Sequence, residues 1–216
     1  MKLILVDVDY TLYPKGTGPF RHVNQRIEDY VMSSLSMERE HVKLLRNDYI
    51  RNFGSTLGGM MRNHNTDPYD FIRNVHDVPV EDILFEDEML KEALSAISLP
   101  MIAFTNASRD YASRVLNALG VKEYFVDIFS IEDMDFIPKP LAAPYEKVVE
   151  RYGCEPSEVI FVDDRADNVE TAQSLGMHGI LLGIDPGVDA EMYIQNIYEL
   201  PDAVERLTGL YGSRRR

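Results

Sequence analysis

Cysteine is almost absent from this chain. The single Cys154 cannot form an internal disulfide, which sets aside the disulfide-stapled secreted scaffolds and agrees with a reducing compartment. No cluster of cysteine and histidine has the spacing of a zinc site. Long apolar runs are lacking as well. The first run, Leu3 to Val6, is interrupted by Asp7, far short of a signal-peptide core or a membrane span, so the expectation is a cytoplasmic protein with no membrane association. Basic residues are scarce: 22 lysines and arginines face 36 acidic residues, a formal charge of −14. Such a surface repels a phosphate backbone, and nucleic acid is set aside as a partner. The tail Arg214, Arg215 and Arg216 carries too few charges to reverse this and reads as a solvated terminus.

What is present is enough apolar material for a sizeable core, 45% of 216 residues. Short aliphatic runs at Leu3 to Val8, Met101 to Phe104, Val159 to Val162 and Gly179 to Leu182 read as buried parallel strands. Helical patterns lie between them: Leu90, Ala93, Leu94 and Ile97; then Ala112, Val115, Leu116 and Leu119, opened by Ser108 and closed by Gly120; then Val169, Ala172 and Leu175, closed by Gly176. This alternation predicts an α/β fold with a doubly wound parallel sheet. Residues 15–82 break it. Phe20, Val23, Ile27, Tyr30 and Val31 follow helical spacing, and Ser36 with Glu38 and Glu40 marks a new helix start. We therefore expect a small all-helical cap at 15–82 inserted after the first strand into a core made of 1–14 and 83–216. Glycines and prolines at 14–19 and Pro79 mark the hinges.

Ligands of open α/β sheets bind beyond the carboxyl ends of the strands. The residues there are Asp7 and Asp9 after the first run, Thr105 and Asn106 after the second, and Asp163 and Asp164 after the third, with Lys139 between Pro138 and Pro140. Singly, each pair has a plain explanation as a strand-end turn or a helix cap. Jointly, carboxylates gathered at one sheet edge repel unless a cation neutralises them, and an all-oxygen hard site selects Mg²⁺. Carboxylate, Mg²⁺ and lysine together describe phosphoryl transfer.

Asp7-Val-Asp9-Tyr-Thr11, Thr105-Asn106, Lys139 and Asp163-Asp164-xxx-Asn168 resemble the four motifs of the haloacid dehalogenase-like hydrolase superfamily, in the family's order. The resemblance implies a Mg²⁺-dependent phosphatase in which Asp7 is the nucleophile, forming an aspartyl-phosphate, and also a metal ligand. Asp9 is then the general acid and base, with its carbonyl on the metal. Dehalogenases of the family lack this second aspartate, so its presence implies phosphate esters. Thr105 and the N–H of Asn106 would hold the phosphoryl group, and Lys139 would offset its charge. Asp164 completes the metal sphere, while Asp163 is either a ligand or an orienting residue. Asn168 positions either Lys139 or a metal-bound water. Tyr10 tunes the turn or lines the entrance.

In the expected cap, Tyr49-Ile-Arg-Asn52-Phe53-Gly54 and Gly58-Gly59 are similar to pyrimidine 5′-nucleotidases. This implies a pyrimidine nucleoside 5′-monophosphate as substrate, with Phe53 for stacking, Asn52 or Ser55 for the base edge, and Thr56, Arg62 and His64 nearby. Phe53, at helical spacing from Met60 and Met61, reads first as cap core, and the two glycines either approach a ligand or end a helix. The alternatives are another small phosphate ester, such as a sugar phosphate or phosphoglycolate, and a non-catalytic phospho-receiver-like module. Receivers place their acidic pair before the phosphorylated aspartate, the reverse of the order here. A monomer or homodimer is expected.

Overall fold

The computed structural model describes residues 1–183 and 190–212, with side chains to residue 209; the arginine tail lies outside the described residues. Six strands form one parallel sheet in the order β3-β2-β1-β4-β5-β6. They are β1 (Leu3–Val6), β2 (Met101–Phe104), β3 (Phe125–Phe129), β4 (Val159–Asp163), β5 (His178–Leu182) and β6 (Met192–Ile194). Every residue of β1, β2 and β4 is buried, as near-continuous aliphatic strands covered on both faces must be. Ile4 pairs with Met101 on one side and Ile160 on the other, so β1 sits between β2 and β4. Strand order reverses between β1 and β4, and a crevice opens there beyond the carboxyl ends.

Two strands carry no continuous apolar run. In β3 the sequence Phe-Val-Asp-Ile-Phe leaves Val126 exposed and Asp127 half-buried, and β6 spans only three residues. Both are edge strands, with one neighbour each and less cover.

Among the described residues nine α-helices accompany the sheet, and none is long and apolar enough to cross a membrane. Helices α1 (Phe20–Leu35), α2 (Arg39–Phe53), α3 (Thr56–His64) and α4 (Pro68–Val75) all fall between β1 and β2, in the expected helical stretch. They pack on one another through Val31, Val42, Tyr49, Met60 and Phe71. Ser55 accepts from the Gly58 N–H to open α3, and Asp67 accepts from the Tyr69 N–H to open α4, with Pro68 following it. Ser36 does not start a helix. It closes α1 in the left-handed region, φ 52°, donating its N–H to Met32, and Glu38 stands at the head of α2 instead. Gly58 and Gly59 lie inside α3. A Cβ on Gly59 would stand 2.1 Å from Tyr49 Cγ, so this glycine lets α2 and α3 touch rather than admitting a ligand.

The remaining helices are α5 (Glu88–Ser95), α6 (Arg109–Ala118), α7 (Ala142–Tyr152), α8 (Ala166–Ser174) and α9 (Leu200–Gly212). Ser108 caps α6 through the Tyr111 N–H, and Gly120 and Gly176 follow α6 and α8 at φ 71° and 92°, as their positions in the sequence predict.

Candidate active site

Beyond the carboxyl ends of β1, β2 and β4, a lysine from the loop before α7 is buried among carboxylates. Lys139, 1% exposed, donates its three ammonium protons to Asp7 Oδ1 at 2.8 Å, Asp163 Oδ2 at 2.9 Å and the Phe104 carbonyl at 2.6 Å. The Phe104 and Phe161 rings flank the ammonium at 4.8 and 5.1 Å. Burial alone would lower the lysine pKa, but Asp163 and Asp7 outweigh it and hold the group above its ordinary value, charged. Asn106 grips the backbone of the same lysine, so its side chain positions Lys139.

Asp7 also accepts from the Thr11 hydroxyl at 3.1 Å through Oδ2. Burial pushes its carboxyl up to about 8, with Asp163 and Asp164 adding to the effect and Lys139 opposing it. Two or three carboxylates and one ammonium leave net negative charge in a buried place. The carboxylate oxygens of Asp7, Asp163 and Asp164 lie within 4.8 Å of one another. In addition, the buried Asn168 Oδ1 has no hydrogen-bond partner, although its amide donates to Asp163 Oδ2 at 2.8 Å. Clustered hard oxygens beside an orphaned acceptor fit a small hydrated divalent cation. The two aspartates of β4 differ. Asp163 is saturated by Lys139, Asn168 and the Arg165 N–H at 2.9 Å, whereas among the described residues Asp164 pairs only with Lys15, at 2.8 Å, and borders the crevice.

Asp9 also lines the crevice. Its Oδ1 accepts from the hydroxyls of Tyr13 and, at 2.8 Å, Tyr111, while burial pushes its carboxyl up to about 6 against these two hydrogen bonds. Both tyrosines keep their protons, because burial beside Asp9 raises their pKa well above normal. Tyr10 takes φ 65°, turning the chain after β1 with its ring edge-on to Phe20. Thr105 is buried; its Oγ accepts from the Ala107 N–H at 3.0 Å.

A cavity of about 430 Å³ joins this cluster to helices α1–α4. Its helical wall is apolar, with Phe20, Ile27, Ile50 and Phe71, interrupted by the polar Asn24, Arg46, Ser55, Thr56 and His76. Of the residues expected to read a leaving group, Ser55 and Thr56 border it. Asn52, Phe53 and His64 do not: Asn52 is exposed and bonded to Asp48, Phe53 packs edge-on against Tyr49, and His64 meets the Tyr49 hydroxyl at 2.6 Å. Arg62 is likewise exposed and absent from the lining. Sequence reasoning missed Tyr13, Asn24, Arg46, His76 and Tyr111. Arg46 had a signal, four residues after the buried Val42 and four before Ile50 on one helix face.

Residues 1–176 match the family model of the haloacid dehalogenase-like hydrolases. Phosphate metabolism protein 8 of Saccharomyces cerevisiae is 26% identical over 196 residues, 83% of this chain and 61% of that protein. A phosphoglycolate phosphatase of Pectobacterium atrosepticum is 30% identical over 94 residues, 42% of this chain and 40% of that one. The chain thus spans about three-fifths or less of the length of these relatives. Among solved structures, the HAD-hydrolase YfnB of Bacillus subtilis, bound to magnesium, shares the fold at a TM-score of 0.62 and 14% identity, covering 94% of this chain and 98% of that one. With the family model spanning the sheet from β1 through β4 and the acidic cluster at its carboxyl edge, the chain belongs to the haloacid dehalogenase-like hydrolases.

Proposed function

We propose that the chain is a Mg²⁺-dependent phosphomonoesterase acting through an aspartyl-phosphate on Asp7, with a pyrimidine nucleoside as leaving group and α1–α4 as its cap. The observation that carries the chemistry is Lys139, buried and charged, holding Asp7 at the mouth of a cavity that also contains Asp9 and Asp164. Asp7, the Asp9 carbonyl and Asp164 would hold Mg²⁺, with Asn168 facing its water. When bound, the cation neutralises the carboxylates and polarises the phosphoryl oxygens. Lys139 and Thr11 fix the Asp7 carboxylate so that it cannot rotate away from phosphorus. Asp7 forms the new P–O bond as the bond to the leaving oxygen breaks, and Asp9 gives that oxygen its proton. Asp9 then takes a proton from water as that water attacks the aspartyl-phosphate, freeing phosphate and restoring Asp7. Thr105 and the Asn106 N–H hold phosphoryl oxygens, and Asp163 orients Lys139 rather than the cation.

For the leaving group, the support is the cavity: its volume exceeds what a two-carbon acid needs, and apolar walls with a few polar groups suit a base edge. A second reading, phosphoglycolate, draws on the similarity to phosphoglycolate phosphatases over part of the chain. Phosphate release with Mg²⁺ from nucleoside monophosphates, sugar phosphates and phosphoglycolate tests both, with Asp7→Asn as the blank. Preference for UMP or CMP is expected. Preference for phosphoglycolate overturns the substrate, and release equal to the blank on every ester overturns the phosphatase.

A further inference from the structure

Two phenols from separate parts of the chain converge on a single oxygen of Asp9. Tyr13 follows β1 at the start of the first link to the helices, and Tyr111 lies in the first turn of α6. Both hydroxyls donate to Oδ1, Tyr111 at 2.8 Å. A carboxylate oxygen has two lone pairs, and two donors use both. Oδ2 has no hydrogen bond to any described residue, and Asp9 borders the cavity.

The two rings are themselves held. Tyr13 and Tyr111 are 4% and 0% exposed. Gly18, at φ 70°, makes room for Tyr13: a Cβ there would stand 2.4 Å from the ring's Cε2. His76, at the carboxyl end of α4, stacks on Tyr111 with ring centroids 4.9 Å apart. So much constraint on two hydroxyls sharing one acceptor exceeds what filling a core requires.

We infer that Tyr13 and Tyr111 are positioning residues for proton transfer by Asp9: they occupy Oδ1, so that Oδ2 alone gives and takes the proton, and they fix the carboxyl plane toward the cavity. This rests on the phosphatase reading above. In the first half-reaction the proton on Oδ2 passes to the leaving oxygen as its bond to phosphorus breaks, and both phenols keep theirs. In the second, Oδ2 takes a proton from the water whose oxygen bonds phosphorus, and Asp7 leaves as carboxylate. Had the phenols only filled space, their hydroxyls would not affect one kind of leaving group more than another.

The test compares kcat/KM, which reports events up to leaving-group departure, on an alkyl phosphate and on p-nitrophenyl phosphate, both with Mg²⁺. Nitrophenolate departs without a proton, and an alkoxide does not. Asp9→Asn should cost the alkyl ester about 10²- to 10⁴-fold and the aryl ester far less. Tyr13→Phe and Tyr111→Phe, which keep the rings, should each lose about ten-fold more on the alkyl than on the aryl ester. Equal losses on both esters, or none, in the Tyr variants that fold would overturn the inference; either variant suffices if thermal melting shows the other unfolded. Hydrolysis of neither ester by the wild type sinks the phosphatase reading and this inference with it. An unselective Asp9→Asn sinks the acid role, and the inference again. Selectivity in Asp9→Asn without selectivity in the Tyr variants defeats the inference alone.

Discussion

The side chain of Asn106 and the backbone of Lys139 form a closed pair: the amide donates to the Lys139 carbonyl at 2.9 Å, and Oδ1 accepts the Lys139 N–H at 2.8 Å. The pair ties the end of β2 to the loop before α7, across 33 residues, and aims the ammonium at Asp7. Asn106→Ala strips both partners from that loop, at a cost of about 1–3 kcal/mol. Because the lysine then loses its aim, kcat should fall about a hundred-fold with KM little changed. Thermal melting and steady-state kinetics check both; a variant with wild-type kcat would show that Lys139 does not depend on this clamp.

Asp163 and Asp164 are neighbours with different partners, and substitution should separate them. Asp163→Asn leaves Lys139 buried with one carboxylate fewer, which should cost about 3 kcal/mol of stability. Asp164→Asn removes only a bond to the exposed Lys15, so the fold should keep its melting temperature while Mg²⁺ affinity falls at least about ten-fold. Titration calorimetry with Mg²⁺ alone, beside thermal melting, reads the two effects. Equal affinity losses with equal melting temperatures would mean that both aspartates hold the ion.

His76 is a third point of control, over stability in acid. Burial lowers its pKa from 6.5 to about 4. The unfolded chain therefore binds a proton as pH falls below 6.5 while the folded chain does not until about 4, so folding stability is lost across that window. The full loss is on the order of 3 kcal/mol. The raised carboxyls of Asp7 and Asp9 work the opposite way, stabilising the fold as they protonate, so the histidine shows in a difference. Denaturant melts of wild type and His76→Gln, compared from pH 7 to pH 4, should converge toward low pH, with the wild type losing relative stability. Parallel curves would mean the ring titrates normally.

The core and the placement of the polar residues at its edge were legible because one physical rule governs both: a parallel strand buried on two faces must be aliphatic, and where the run stops the polar residue faces the crevice. Asp7, Thr105 and Asp163 each stand directly after such a run or at its last position. Edge strands escape the rule, which is why β3 and β6 carry no run to read. In α1–α4 the residues that border the cavity were harder to read, for a geometric reason. Tyr49 and Phe53 share one face of α2 and that face packs on α3, while Arg46 and Ile50, centred about 60° further around the helix, border the cavity. Periodicity identifies a buried face without saying whether a helix or a ligand covers it. Tyr111 escaped because it is 102 residues from Asp9 in sequence.

Arg46 is where the proposed reading of substrate by α1–α4 can be tested. Its guanidinium donates to Asn24 Oδ1 at 3.0 Å, to Glu28 at 3.2 Å and to Thr56 at 3.4 Å, joining α1, α2 and α3 on the cavity wall. Glu28 also pairs with Arg39 at 2.6 Å, so Arg46→Met does not leave that carboxylate alone. The methionine keeps most of the stem's packing but frees Asn24 and Thr56 to turn away. For a pyrimidine nucleotide, KM should rise about ten-fold, the worth of one lost polar contact of about 1.4 kcal/mol. The small aryl ester p-nitrophenyl phosphate, which does not need the polar wall, should lose much less. A matched rise on both esters would place Arg46 in the framework of the cap, and the leaving group would then be read elsewhere.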